Sequence, residues 1–334
     1  MAWCSVVPVL ETGERGGAPR RPESATGQVV YTAVCNETGG MLDDATVFRL
    51  GPDTFRFVGG DEYDGTWLRQ LAGRLNLDRV WVKHSTDHLH NIAVQGPKSR
   101  DLLRELVWTP PTQPDFESLG WFRFAIARIG GPEGLPLIVS RTGYTGELGY
   151  EIYLHDATAN GTKLWNTVLE AGRPHGLQVA GPCHIRRIEG GILAFGCDIW
   201  YDTNPFEVDM GYTWMVDLAQ EADFVGKQAL QRIKAEGPRR KLVGIEIEGP
   251  PVGSYIDNEM IEMYRVLRRG RPVGKVTSAC YSPRLEKNIG YAMLPIELAA
   301  PLGHEFDIET PAGCHRGVTV PKPFIDPGKQ IPKQ

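Results

Sequence analysis

Hydrophobic and polar positions along the chain fall into short segments of two different periods. From Gln28, the runs QVVYTAVCN, ATVFRL and TFRFVG are bounded by Gly, Pro or Asp, a pattern that predicts three β-strands joined as a meander. TWLRQLAGRL then spaces Trp67, Leu68, Leu71 and Leu75 at helical intervals, which predicts a helix covering the meander. RVWVKHS and HNIAVQG predict two more strands, and PKSRDLLREL a helix with Pro97 in its first turn. WFRFAIARI and PLIVSRT again predict strands. In TKLWNTVLEAG, Leu164, Trp165, Val168 and Leu169 share one stripe that ends at Gly172, which suits a helix C-terminus. Helical patterns also run through IRRIEGGILAF and KQALQRIKAEG.

After EGPRRK the texture changes. KLVGIEIEG, MYRVLRRG, PVGKVTSACYS, IGYAML, HEFDIET and VTVPKPF succeed one another with short turns, predicting a small barrel or sandwich and a domain boundary near Pro238. Residues 1–27 differ from everything that follows: GERGGAPRRPESATG has no helical or strand period, and this stretch is expected to be poorly ordered.

Composition narrows the function. With 41% hydrophobic and 23% charged residues, the 334-residue chain has the balance of a globular protein, and its length suggests two or three domains. Its 36 Lys+Arg against 41 Asp+Glu give a net charge of -5, with no basic excess to bind nucleic acid or an anionic membrane. The 6 cysteines are scattered without a C-x-x-C pair, which fits thiols in a reducing compartment. No apolar run approaches the roughly 20 residues of a membrane span, and MAWCSVVPVLETGERGG lacks the basic start of a secretory signal. A cytoplasmic location is expected.

The candidate chemistry lies in two acidic turns. In RTGYTGELGYEIYL, strand alternation puts Leu148, Tyr150, Ile152 and Leu154 on one face and Glu147, Gly149, Glu151 and Tyr153 on the other. The glycines allow the backbone to approach a neighbour closely, and Glu151 beside them can accept two parallel N–H bonds from a planar amidine-like edge. In NETGGMLDD, the adjacent Asp43 and Asp44 must point to opposite faces, so one can be buried in a cleft while the other stays wet. His84, His88 and His90 in HSTDHLH have no cysteine or carboxylate cluster at ligand spacing, so no metal site is expected. Glycine-rich nucleotide loops and a G-x-S-x-G elbow are absent from the sequence.

Together these motifs, with IAVQGPKS between the two turns, RIEGGILAFGCDI after them and SACYSPRLEKNIGYAML near the end, resemble the aminomethyltransferase family typified by the glycine cleavage T-protein. The resemblance runs from residue 28 to about 327. It implies an α+β, three-domain, cloverleaf-like enzyme with a C-terminal β-barrel, which holds tetrahydrofolate in a central channel and moves an aminomethyl or methyl group onto it. It further implies a partial folate-binding domain over 28–88, a second α/β folate-binding domain over 89–237 and the barrel over 238–334. Carried over onto the matching motifs, Asp43 would be the catalytic carboxylate and Glu151 would grip the pterin. Tyr31, Tyr144 and Arg187 would line the channel. The one-carbon donor would be a small molecule or a lipoyl carrier protein.

Two features depart from that family's pattern. Cys183 in GPCHIRRIEG stands where an arginine usually contributes to the ligand site, and a thiol cannot replace a guanidinium clamp. NPFEVDMGYTWMVDL, GPRRKL and SACYSP resemble instead the folate-dependent demethylases of the same superfamily, which include those of dimethylsulfoniopropionate. Family members also carry a longer N-terminal region before the first strand, so the resemblance implies an N-terminally shortened fold. A demethylase of a small methylated S-, N- or O-compound and a non-catalytic folate-binding module are the alternative readings.

Overall fold

The computed structural model describes residues 26–181, 184–211, 215–253 and 263–334. Three β units succeed one another along the chain. The first is an antiparallel sheet of β1 (Val29–Cys35), β2 (Met41–Arg49) and β3 (Phe55–Val58), in that order, followed by α1 (Asp64–Arg74). The β1–β2 turn closes on Asn36, whose side-chain oxygen accepts the backbone N–H of Thr38 at 2.9 Å and of Gly40 at 3.1 Å. Val34 lies opposite Asp43 and Cys35 opposite Met41, so Leu42 is an extra residue that bulges the second strand. One face of this sheet packs Val34, Ala45 and Phe57 with Leu68 of α1.

The second unit is a five-stranded antiparallel sheet. Its strands are β4 (Leu89–Gln95), β5 (Val107–Trp108), β6 (Phe124–Ile129), β7 (Leu135–Ser140) and β8 (Gly149–His155), in the order β4-β8-β7-β6-β5. Ile92, Val94, Val139, Tyr150, Ile152 and Leu154 point to one side, where α2 (Ser99–Arg104) brings Leu102 and Leu103, and α3 (Ala157–Gly172) brings Leu164 and Val168. The opposite face meets the first sheet. Val29, Phe48 and Val58 pack against Phe124, Ile138 and Tyr153, with the Phe48 and Tyr153 rings edge to face at 5.3 Å.

A linking region with α4 (His184–Glu189) and α5 (Lys227–Glu236) leads to the third unit. This is a closed barrel of β9 (Arg240–Ile247), β10 (Tyr264–Arg268), β11 (Arg271–Ser282), β12 (Lys287–Pro295), β13 (Glu305–Thr310) and β14 (Gly313–Val320), ordered β10-β11-β12-β9-β14-β13. Closure leaves no unpaired edge, which decides between the barrel and the sandwich. A shared core of Cys35 and Met41 from the first unit, Ile188 and Leu193 from the link, and Tyr291 and Met293 from the barrel ties the units together. Among the described residues, no helix is long and apolar enough to cross a membrane.

Three local expectations fail for identifiable reasons. RVWVKHS forms no strand: it pairs with no neighbour, leaving β4 as the sheet edge, and Trp81 is 88% exposed. The helical pattern of IRRIEGGILAF stops at Glu189, because Gly191 takes φ +72° and a Cβ there would sit 2.7 Å from Pro323. Pro97 stands two positions ahead of the α2 start at Ser99, outside its first turn. The unusual N-terminal stretch falls outside the described residues as far as residue 25, as does Cys183.

Candidate functional site

The two neighbouring aspartates diverge as strand alternation requires. Asp43 is 1% exposed and turns toward α1. Its Oδ1 accepts the Asp44 N–H at 2.8 Å and its Oδ2 the Gly60 N–H at 2.6 Å and the Asp61 N–H at 3.2 Å. A Cβ placed on Gly59 would lie 2.4 Å from Asp64 Oδ2 and 2.5 Å from Asp43 Oδ2, so a glycine is what lets these two carboxyls sit side by side. Asp64 Oδ2 is buried and receives no N–H or O–H donor. A proton shared with Asp43 resolves both problems: burial, and then the Asp43 carboxylate, push the Asp64 carboxyl up to about 10. Asp43 is thereby occupied within its own unit.

Asp44 faces the other way, toward the second sheet and the link. Tyr31 donates its hydroxyl to Asp44 Oδ2, and the same hydroxyl lies 3.9 Å from Met210 Sδ. Burial, reinforced by the charge of Asp43 and opposed by the Tyr31 hydrogen bond, raises Asp44 to about 7. Tyr31 itself is pushed well above its ordinary range by burial and by Asp44. Of the pair, Asp43 is thus turned into its own unit, while Asp44 meets Tyr31 on the opposite face. The Leu42 bulge turns Asp43 to the α1 side and sets Asp44 on the face of Phe48.

Tyr144 and Arg187 join this neighbourhood by electrostatics. Tyr144 is 39% exposed as a residue, and its hydroxyl donates to the Leu193 carbonyl. Burial of that hydroxyl raises its pKa; the Arg187 charge opposes the rise, and Asp44 adds to it. Arg187 is 1% exposed, and its guanidinium is committed internally: to Asp198 at 2.7 Å, Ser278 Oγ at 2.7 Å, the Ile192 carbonyl at 3.2 Å and His184 Nδ1 at 2.9 Å. Burial works against its charge, yet Asp198 and the nearby phenols hold it above its usual value. Arg187 thus acts on the cluster as a fixed positive charge and not as an open hydrogen-bond donor.

Glu151 lies half-buried on β8, on the face of Tyr153 that meets the first sheet. Thr142 donates to its Oε2, and Asn91 Nδ2 donates to its Oε1 at 3.2 Å. Each carboxylate oxygen keeps lone-pair capacity for a further N–H donor. The glycines before it allow the close approach expected of them, and the neighbour is Gln95. A Cβ on Gly143 would lie 2.1 Å from Gln95 Oε1, and one on Gly149 2.4 Å from the same side chain. Gln95 fills that space, donating to the carbonyls of Thr142 and Tyr150 at 3.2 Å and accepting from Thr145 at 2.7 Å. The loop closes on its own glutamine, which fixes Thr142 against Glu151.

The model for the GCVT N-terminal domain matches residues 19–220, and that for the glycine cleavage T-protein C-terminal barrel domain matches residues 240–326. The chain belongs to the glycine cleavage T-protein family. An aminomethyltransferase of Thermotoga neapolitana is 35% identical over 306 residues, covering 89% of this chain and 76% of that protein. A trimethylamine-oxide aldolase of Ruegeria pomeroyi is 48% identical over 273 residues, 81% of this chain but only 33% of that protein, so this chain spans about a third of the larger relative. The crystal structure of the glycine cleavage system aminomethyltransferase T from Bartonella henselae shares the fold, with a TM-score of 0.70 at 22% identity over 91% of this chain and 78% of that one.

In this family member the other acid of the glycine-rich loop, Glu147, joins units. It accepts hydrogen bonds from Arg186 of the link and, at 3.1 Å, from Arg284 of the barrel. Arg186 also reaches Glu189 at 2.6 Å, and Ser282 of the barrel donates to Glu189 at 2.6 Å. Sequence reasoning missed Asp64, Asp198 and Asn91. Asp198 sits within RIEGGILAFGCDI, but its partners Thr277 and Ser278 come from the barrel, and Asp64 and Asn91 lie outside the quoted motifs, so their contacts appear only in the folded chain.

Proposed function

We propose that the chain is a tetrahydrofolate-dependent one-carbon transferase in which Asp44 handles the proton and Glu151 holds the pterin edge. The observation that carries this reading is the Tyr31–Asp44 hydrogen bond, set on the sheet face that meets the face bearing Glu151. The donor set fits such a ligand: a carboxyl braced by Thr142 and Asn91 retains lone pairs suited to a ring edge rich in N–H groups. A bound tetrahydrofolate would supply the nitrogen that takes up the one-carbon unit.

The chain's own residues supply the rest. Asp44, titrating near neutrality, can take the proton that leaves a nitrogen as it is alkylated, and its negative charge favours a cationic centre beside it. Tyr31 fixes the Oδ2 oxygen, so the approaching proton meets one defined acceptor geometry. Asp43, bound to the Asp44 backbone and carrying part of a shared proton, helps set the pKa of its neighbour.

Two donor classes are compatible with this machinery. The aminomethyltransferase relatives favour an aminomethyl group on a lipoyl carrier protein, whereas the 48% identity to part of a trimethylamine-oxide aldolase favours one-carbon units from a small methylated nitrogen compound. Turnover with tetrahydrofolate, read by the absorbance of the product, separates them. Methylenetetrahydrofolate formed only from the loaded carrier protein supports the first class, and product from trimethylamine oxide or other small methylated amines supports the second. No product from either donor, with no measurable folate binding, rejects the transferase reading.

A further inference from the structure

We infer that Arg56, Lys83 and His155 form an oxyanion-binding site at the seam between the first two sheets, one that takes a carboxylate or phosphoryl group. The inference does not depend on the folate reading above. Arg56 stands opposite Phe48 on the β2–β3 ladder, so its side chain leaves the first sheet on the face that meets the second. It is 4% exposed. Its Nη2 reaches His155 Nε2 at 2.6 Å, and the guanidinium lies 5.7 Å from the centroid of the Tyr153 ring. Its Nη1 is buried without a partner.

A guanidinium can only donate, so His155 Nε2 accepts and the proton of the ring sits on Nδ1. Among the described residues no carboxylate pairs with Arg56. Glu151, the acid further along the same face of β8, is engaged by Thr142 and Asn91. A ring face and a neutral imidazole are weaker partners for a buried cation than a carboxylate, and buried charges otherwise occur paired. Arg56 therefore lacks a counter-ion.

The surroundings add positive charge and open to solvent. His155 and Lys83 are both exposed. Burial, then the charges of Arg56 and Lys83, hold the His155 imidazole below its ordinary value, which puts both cations close to its ring. Lys83 belongs to RVWVKHS, the segment that forms no strand: Val82 packs on the α1 side of the first sheet, and Lys83 follows it out beside His155. An anion at this rim has the Nδ1–H of His155 and the Lys83 ammonium as donors, with the Arg56 charge behind them. Donors on separate side chains suit a group with two or more charged oxygens, which a halide is not.

The test is nuclear magnetic resonance of the full chain at an ionic strength held constant with chloride, titrated with inorganic phosphate alone and with succinate alone. The readout is the His155 ring resonance, assigned by its loss in His155→Gln. A saturable shift is expected with phosphate, succinate or both, with a rise of about one unit in the pH at which His155 titrates once the site is filled. Lys83→Ala, at an exposed position, should weaken the anion about tenfold. Arg56→Leu should abolish the response, yet unfold in chloride at a urea concentration no lower than wild type, because an uncompensated buried charge has been removed. Saturation by phosphate alone assigns a phosphoryl ligand, and by succinate alone a carboxylate. No saturation by either up to tens of millimolar, or unchanged affinity in Lys83→Ala, overturns the inference, and the Lys83→Ala arm decides even if Arg56→Leu folds poorly. The transferase reading stands or falls separately, by the turnover assay.

Discussion

The Tyr31 hydroxyl donates to Asp44 diagonally across the β1–β2 ladder, where Asp44 stands opposite Ala33 and Tyr31 opposite Thr46. Diagonal neighbours on one face are within reach of a long aromatic side chain. The contact therefore depends on register, and the Leu42 bulge gives that face to Asp44 and not to Asp43. One extra residue in a strand decides which of two identical side chains meets Tyr31.

Replacing Asp44 by Asn should lower turnover by about a hundredfold or more, the usual worth of a positioned general base, and leave the melting transition close to wild type. The same change in Asp43 should act mainly on stability. Steady-state rates and thermal melts of both variants check this, and a larger rate loss in Asp43→Asn would restore that residue as the base.

The pH dependence follows from the same pair. Asp44 accepts a proton only when ionised, so kcat/KM should rise as the pH passes about 7 and level off above it. The Tyr31 hydrogen bond favours the ionised form, so Tyr31→Phe should move that midpoint to higher pH. A midpoint that stays fixed or moves toward acid would contradict the pairing.

Much of the fold was legible because it depends on local patterns. The meander, α1, α3 and the barrel strands carry the period or turn chemistry that specifies them, and the barrel closes because six short strands have no other way to lose their edges. The site was half legible. Alternation showed that Asp43 and Asp44 must part, but a bulge is visible only once the partner strand is in place. The glycines of RTGYTGE announced a close approach without naming the neighbour, and that neighbour is Gln95, from a strand about fifty residues earlier. Asp64 is an isolated acid whose distant partner the sequence does not show, and Asp198, though inside RIEGGILAFGCDI, is held by Thr277 and Ser278 of the barrel, which only the fold brings to it.

Asp198 should be among the most sensitive core positions. It is 1% exposed and accepts from Arg187, from Thr277 Oγ1 at 2.6 Å, from Ser278 Oγ at 2.7 Å and from the Ala194 N–H at 3.1 Å. Asp198→Ala leaves a buried guanidinium unpaired, with an expected cost of about 3–5 kcal/mol. Replacing Asp198 and Arg187 together by Leu and Met should recover a large part of it. Urea unfolding of the wild type and these two variants settles the point, and a double variant no better than Asp198→Ala would argue against an ion-pair origin.

Asp64 offers a separate test of the shared proton, through stability instead of rate. Its carboxyl goes from an ordinary value near 3.8 when unfolded to about 10 when folded, so across that window the native state binds more protons than the unfolded one. Stability must then fall as pH rises, being fully present below the unfolded value and lost as pH climbs through the folded one. Asp64→Asn puts a permanently neutral amide beside Asp43, with an N–H to donate where the proton was. The variant should lose most of the decline in urea midpoint above pH 7, keeping only the slope that Asp44 contributes between about 4 and 7. Parallel midpoint curves for variant and wild type above pH 7 would show that Asp43 and Asp64 do not share a proton.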